Sequence, residues 1–229
     1  MPDAKVLLIT GASSGIGAAT ARMAAAAGWR LVLVARSADK LEALVEELGA
    51  EHVTAIPCDV TDSDDQERMA RAAVERFGRI DAVFANAGIG GRPGGFSGAP
   101  PASWRAMVDV NILGVAYTLR ATLDHVKAAR GHVVITGSVA GRRTLAGSMY
   151  SATKWAVTAI GYGLREELRG TGVRVTLLEP GLVDTPFFEH TQADALSAED
   201  VARGVIYALE QPPSVDVHEL TILPTPPRS

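Results

Sequence analysis

Residues 10–17 read TGASSGIG, and the fold turns on what this stretch joins. Before it lies the aliphatic run KVLLIT, from Lys5; after it comes GIGAATARMAAAA, with helical periodicity. A glycine-rich turn between a strand and a helix is where a parallel α/β sheet accepts a diphosphate. The glycines stand at 11, 15 and 17, a G-x3-G-x-G spacing rather than the commoner G-x-G-x-x-G. The physical tasks are similar. Gly11 permits the tight turn, Gly15 lets the backbone approach a diphosphate, and Gly17 allows close helix–strand packing. Ser13 and Ser14 offer hydroxyls, Ile16 belongs to the same cofactor loop, and the helix N-terminus adds N–H groups and partial positive charge. A small-residue turn without a ligand is the other reading, and placement directly after the first strand weighs against it.

Runs of the same aliphatic kind recur: RLVLVA from Arg30, HVTAIP from His52, IDAVFAN from Ile80, HVVITG from His132, VRVTLLEP from Val173 and ELTIL from Glu219. Most are continuous rather than alternating, as in strands buried on both faces. Between them, SADKLEALVEEL and DDQERMARAAVERF carry helical periodicity with charged outer faces, and Ser37 and Ser63 look like helix starts. Strands alternating with helices predict an α/β fold whose parallel sheet is covered on both sides by right-handed crossovers. No linker or composition shift divides the 229 residues, so one domain over 1–229 is expected. Residues 89–103, IGGRPGGFSGAPPAS, are too rich in Gly and Pro for a helix or central strand. They follow a strand and should lie beyond the carboxyl edge of the sheet, where ligands bind. Residues 182–198 form a second expected substrate loop, and the tail PTPPRS after Leu223 is expected to leave the fold.

A hydrophobic fraction of 47% supports a sizeable core, and a net charge of −4 gives no basic footprint for nucleic acid. The single cysteine, Cys58, excludes an intrachain disulfide and fits a reducing compartment. The opening MPDAKVLLITG lacks the basic region and long apolar run of a signal peptide. No uncharged apolar stretch approaches the ~18 residues of a membrane span. His52, His125, His132, His190 and His218 show no metal spacing. The expectation is a soluble cytoplasmic protein with no metal, no membrane and no nucleic-acid partner.

At the end of the second run the sequence is LVLVARSADK, with Ala35 and Arg36 where a NAD-binding protein usually places an acid. A guanidinium fork suits a 2′-phosphate, so NADP(H) is expected over NAD(H). The alternative for Arg36 is a solvated charge at a helix start. Further on, YSATK spans residues 150–154. Tyr150 and Lys154 are four apart, hence on one helical face. They are either two surface side chains or a phenol paired with an ammonium that lowers its pKa. Thr153, Val157, Ile160, Leu164 and Leu168 form a helical stripe facing the sheet, while Trp155, Ala159 and Tyr162 lie off it. A helix apolar on two sides is buried on two sides, consistent with packing against a second subunit.

Taken in order, TGASSGIG, CDV at 58–60, ANAG at 85–88, Asn111 in VDVNILG, Ser138 in ITGSVAG, YSATK and LEPG at 178–181 resemble the classical short-chain dehydrogenase/reductases. The resemblance runs from about Lys5 to Leu223. It implies a single doubly wound Rossmann-type domain with about seven parallel strands, a Ser-Tyr-Lys centre with an assisting Asn, and a homo-oligomer, tetramer or dimer. There are two departures. Ser138 and Tyr150 are twelve apart, which makes the loop between them one residue shorter than in many members, and Ala85 replaces the first Asn of the more usual NNAG.

A free tyrosine has a pKa near 10 and is a poor acid–base group at pH 7. A lysine ammonium and an oxidised nicotinamide both favour the phenolate. The resemblance therefore makes Tyr150 the general acid in carbonyl reduction and the general base in alcohol oxidation. By the same resemblance Lys154 holds the nicotinamide ribose, Ser138 bonds the substrate oxygen where charge develops, and Asn111 positions Lys154 through water. Asp59 and Val60 meet the adenine; Asn86, Ala87 and Gly88 line the cofactor cleft. Pro180, Gly181, Val183 and Thr185 face the nicotinamide, with Thr185 bonding its carboxamide. Cys58 reads as an unreactive core thiol. Arg142 and Arg143 could meet an anionic substrate, although such a pair is more often structural. Ile89, Phe96, Phe187 and Phe188 suggest partly apolar walls.

The leading expectation is an NADP(H)-dependent oxidoreductase acting on a small carbonyl or secondary-alcohol substrate. The alternative is a non-catalytic NADP(H)-binding sensor or scaffold, which the intact Ser-Tyr-Lys set argues against. A Rossmann-like methyltransferase leaves Arg36 and that set unexplained.

Overall fold

All five residues of β1 (Val6–Thr10) are buried, as a strand at the middle of a doubly covered sheet must be. The computed structural model describes residues 4–188 and 190–225; Glu189 of the second expected substrate loop and tail residues 226–229 lie outside the described residues. Six further strands join β1: β2 (Arg30–Ala35), β3 (Val53–Pro57), β4 (Ala82–Ala85), β5 (His132–Thr136), β6 (Arg174–Pro180) and β7 (Glu219–Ile222). All pairings are parallel and the order is β3-β2-β1-β4-β5-β6-β7.

The period of two along each strand divides the core into two halves. Val6, Leu8, Val32, Val34, Val83, Val133 and Ile135 face α3 (Ser63–Phe77), α6 (Gly114–Ala129) and α7 (Met149–Glu167). Leu7, Ile9, Leu31, Leu33, Phe84 and Val134 face α1 (Gly15–Ala26), α2 (Ala38–Leu48) and α8 (Ala198–Glu210). The result is the doubly wound α/β Rossmann-type fold. The strand order reverses between β1 and β4, which opens a crevice at the carboxyl edge.

The expected stripe on α7 is buried as read: Thr153, Val157, Leu164 and Leu168 are all inside, with Ile160 packed against the same core. Trp155 and Tyr162 lie off it and are exposed on the single chain. α3 does start at Ser63, but its cap is Asp62, whose carboxylate accepts the N–H groups of Asp64 and Asp65. Residues 89–103 depart from expectation. A short turn, α4 (Gly95–Gly98), and the start of α5 (Pro101–Val108) fall within them. Pro101 stands in the first turn of α5, where no intrahelical N–H is missed. α5 runs into α6 through a wide π-helical turn, Asp109–Leu113.

Candidate active site

A cleft of about 420 Å³ lies at the carboxyl edge of the sheet. The glycine loop lines it with Gly11, Ser13, Ser14, Gly15 and Ile16; Arg36 follows β2, and Asp59 and Val60 follow β3. Asn86, Ala87 and Gly88 come from the end of β4, and Ser138 from the end of β5. Tyr150 and Lys154 project from α7, while Pro180, Gly181, Val183 and Thr185 close the β6 side. Two expected residues, Gly17 and Asn111, do not line the cleft and act from behind it. A Cβ on Gly17 would stand 2.3 Å from the Gly11 carbonyl oxygen, so α1 can meet the loop only as glycine there. Gly11 itself has φ +67°, and the loop it turns rests on Ala87.

Hydrogen bonds lock this floor. Asn86 Nδ2 donates to the Thr10 carbonyl at 3.1 Å, its Oδ1 accepts from the Thr136 hydroxyl at 3.1 Å, and its backbone N–H reaches Thr10 Oγ1 at 3.0 Å. Ser14 caps α1 without a side-chain capping bond. At the far end Arg36 is exposed. Asp59 Oδ1 accepts from the Thr61 N–H at 2.9 Å and hydroxyl at 2.8 Å, and the first of these holds its carboxyl below the usual range, helped by the charge of Arg36. Cys58, buried beside it, has its thiol pushed up to about 12 by burial and neighbouring carboxylates. The glycine loop and its surroundings fit a dinucleotide: backbone N–H groups at the start of α1, hydroxyls from Ser13 and Ser14, and the Arg36 guanidinium at the β2 end of the cleft.

Lys154 is 4% exposed, donates from Nζ to the Thr136 carbonyl at 2.8 Å, and lies 5.8 Å from the centre of the Tyr150 ring. Burial brings its pKa down to about 8. The Tyr150 phenol departs from the sequence expectation. Burial pushes it above its ordinary value, and a hydrogen bond with Ser138 only partly opposes this. Ser138 accepts the Ala140 N–H at 3.1 Å, and its hydroxyl faces the Pro180 carbonyl at 3.5 Å.

Asn111 sits in the π-helical turn and is 1% exposed. Its Oδ1 accepts the Ile89 N–H at 2.8 Å; its Nδ2 donates to the Ile89 carbonyl at 3.0 Å and to Thr153 Oγ1 at 3.1 Å. It thus grips the strand-end loop directly and touches α7 through Thr153, whose hydroxyl bonds the Tyr150 carbonyl at 2.8 Å. The sequence did not single out Thr136, and it marked Thr153 only as part of the sheet-facing stripe. Thr136 is legible afterwards as the polar residue that ends β5 two places before Ser138.

Neither arginine after the serine reaches the cleft. Arg142 donates from Nε to Glu179 Oε1 at 2.5 Å and from Nη1 to the Tyr162 hydroxyl at 3.0 Å, and bonds Glu219 as well. Glu179 is 1% exposed, and its other oxygen accepts from the Thr221 hydroxyl at 3.2 Å. Arg143 is exposed. Ile89, Phe187 and Phe188 line the cleft as expected, whereas Phe96 does not: it is exposed and packs edge-on against Trp104. Among the described residues no group of metal-ligating side chains forms, and no helix is long and apolar enough to cross a membrane. His132 is a core residue, bonded through Nε2 to Thr176 and held neutral by burial, with its pKa near 3.

The short chain dehydrogenase family profile matches residues 5–196. An oxidoreductase of Staphylococcus haemolyticus is 39% identical over 227 residues, 97% of this chain and 98% of its own. An alcohol dehydrogenase from the archaeon Thermococcus sibiricus, solved with 5-hydroxy-NADP, superposes with a TM-score of 0.91 at 35% identity, covering 98% of this chain and 99% of its own. Serine dehydrogenase from Escherichia coli gives 0.87 at 32% identity, over 95% and 96% of the two chains.

Proposed function

Because the chain belongs to the short chain dehydrogenase family, we propose that it is an NADP(H)-dependent oxidoreductase that moves a hydride between nicotinamide and a carbonyl or secondary-alcohol carbon. The observation that carries this reading is the convergence of Ser138, Tyr150 and Lys154 on the cleft that the glycine loop floors. Arg36, at the end of β2 where no carboxylate stands in the sequence, supports NADP(H), as does the 5-hydroxy-NADP bound by the archaeal neighbour. The bound nicotinamide supplies or accepts the hydride.

The chain's own residues handle the proton and the charge. Ser138 donates a hydrogen bond to the substrate oxygen as negative charge develops there. Tyr150 gives that oxygen its proton, and the Lys154 ammonium steadies the phenolate left behind. A phenol raised by burial stays protonated at neutral pH, which suits it to start as the acid in carbonyl reduction. Asn111 keeps Ile89 and the base of α7 in place around it. We take the chain as one domain, with 89–103 and 182–198 as substrate loops. The exposed Trp155 and Tyr162 on α7 are the face we assign to a second subunit, in a cytoplasmic dimer or tetramer.

The test is NADPH oxidation across ketones, aldehydes, keto acids and sugars, with Tyr150→Phe as comparison. Turnover by the wild type that is lost in the variant supports the reading. Equal turnover by both proteins removes Tyr150 from the chemistry. Tight NADPH binding without turnover of any compound favours the sensor.

A further inference from the structure

We infer that the substrate is an uncharged, largely apolar ketone or aldehyde, or the matching secondary alcohol, rather than a keto acid or a sugar. The inference rests on the reading above and narrows it to a substrate class.

Around Tyr150 the cleft wall is aromatic and aliphatic. Phe187 meets the Tyr150 ring edge-on with centroids 5.7 Å apart, and Phe188 meets Phe187 at 5.1 Å. Ile89 and Val110 belong to the same cleft lining. Gly90 completes the wall: a Cβ there would fall 3.0 Å from the Phe187 ring, so ring and backbone close on each other. Phe187 and Phe188 are 40% and 36% exposed, more open than a ring with a purely structural task needs to be. An apolar substrate seated beside Tyr150 would cover them.

Beside Tyr150 the described lining offers one basic side chain, the buried Lys154. Among the described residues lining the cleft only Arg36 and Lys154 are basic. Arg36 marks the opposite, adenosine end, and Lys154 is buried with its ammonium on the Thr136 carbonyl. Arg142, the cation nearest in sequence to Ser138 on its turn, is turned away into Glu179 and Glu219. A carboxylate bound beside Tyr150 would therefore lose its water with no cation in the described lining to meet it beyond the Lys154 ammonium, which is buried behind the ring on the Thr136 carbonyl. A sugar would fare little better, because its hydroxyls would meet apolar rings and find few polar partners beyond Ser138 and Thr185.

Two matched pairs test this: acetophenone against phenylglyoxylate, and 2-octanone against 2-oxooctanoate. Each pair differs by a methyl group replaced with a carboxylate. In steady-state NADPH oxidation, kcat/KM for the neutral member should exceed that for the acid by about 100-fold. Phe187→Arg should narrow the ratio by at least tenfold, through the KM of the acid. A wild-type ratio of one or below overturns the inference. A second readout needs no turnover: binding of the same four compounds to the NADPH complex of Tyr150→Phe, followed by NADPH fluorescence. Neutral compounds binding at least tenfold tighter sustain the substrate class even if the wild type turns nothing over, in which case only the enzymatic reading fails. Tighter binding of the acids, or binding of neither set, overturns it.

Discussion

Replacing Arg142 with Gln is expected to cost far more stability than its partly exposed position suggests. The reason is the partner. Glu179 is 1% exposed, and without the guanidinium its carboxylate keeps only the Thr221 hydroxyl at 3.2 Å. Removing one member of a buried pair typically costs about 3–5 kcal/mol, because the other charge is left in a poor dielectric. The Arg142 side chain is 28% exposed, so water can enter the vacated space, and the lower end, about 3 kcal/mol, applies. For a domain of this size each kcal/mol moves Tm by about 2–4 °C, giving a fall of roughly 6–12 °C. Thermal and urea unfolding of four proteins measure it: wild type, Arg142→Gln, Glu179→Gln and the double variant. Arg169→Gln serves as control, since its ion pair with Glu166 is exposed on both sides and is worth about 0–1 kcal/mol. The double variant should recover much of the loss, because no charge is then left buried. A cost for Arg142→Gln below about 1 kcal/mol, or strictly additive losses in the double variant, would refute the reasoning.

Arg36→Ala should weaken NADPH binding by roughly ten- to a hundredfold, the worth of one charge-assisted contact, and leave NADH binding unchanged; equal losses in a fluorescence titration would remove the arginine from cofactor choice. Lys154 is held near 8 when folded, against 10.5 as a free side chain. Between those values the unfolded chain binds more protons, so the stability of the wild type relative to Lys154→Met should rise as pH goes from about 8 to 10.5. The gain is about 3 kcal/mol in all, read by urea unfolding across that range, and a flat difference would mean a solvated ammonium. Cys58, with its thiol at about 12, should resist alkylation by iodoacetamide at pH 8 in the folded protein and react at once in urea.

The strands were legible because parallel strands buried on both faces leave unbroken aliphatic runs, and the glycine loop because its spacing answers to close approach. Gly17 illustrates the second point: its neighbour is the Gly11 carbonyl, six residues back along the chain. The helix inside residues 89–103 was not legible, since Pro101 reads as a breaker unless the helix start is already known. The direction of the Tyr150 shift was not legible either. It follows from burial, only partly opposed by the Ser138 hydrogen bond, and helical spacing says nothing of how deep the ring lies. Arg142 finds Glu179 and Glu219 at separations of 37 and 77 residues, contacts made only when β6 and β7 are laid side by side.

The wide turn at Asp109–Leu113 has a consequence for how this helical stretch can vary. A π-helical turn holds one residue more than its α-helical counterpart, so α5 and α6 are out of phase by about 100°. α5 uses its phase to pack on α7, with Met107 inward; α6 uses the other to pack on α3, with Val115 and Leu119 inward. Deleting a single residue between 109 and 113 would restore one continuous phase, and either face would then swing a quarter turn off its neighbour. Insertions and deletions here are thus quantised: the stretch tolerates substitution far better than any change in count, because that one supernumerary residue lets a single rod serve two partners and turn Asn111 inward between them.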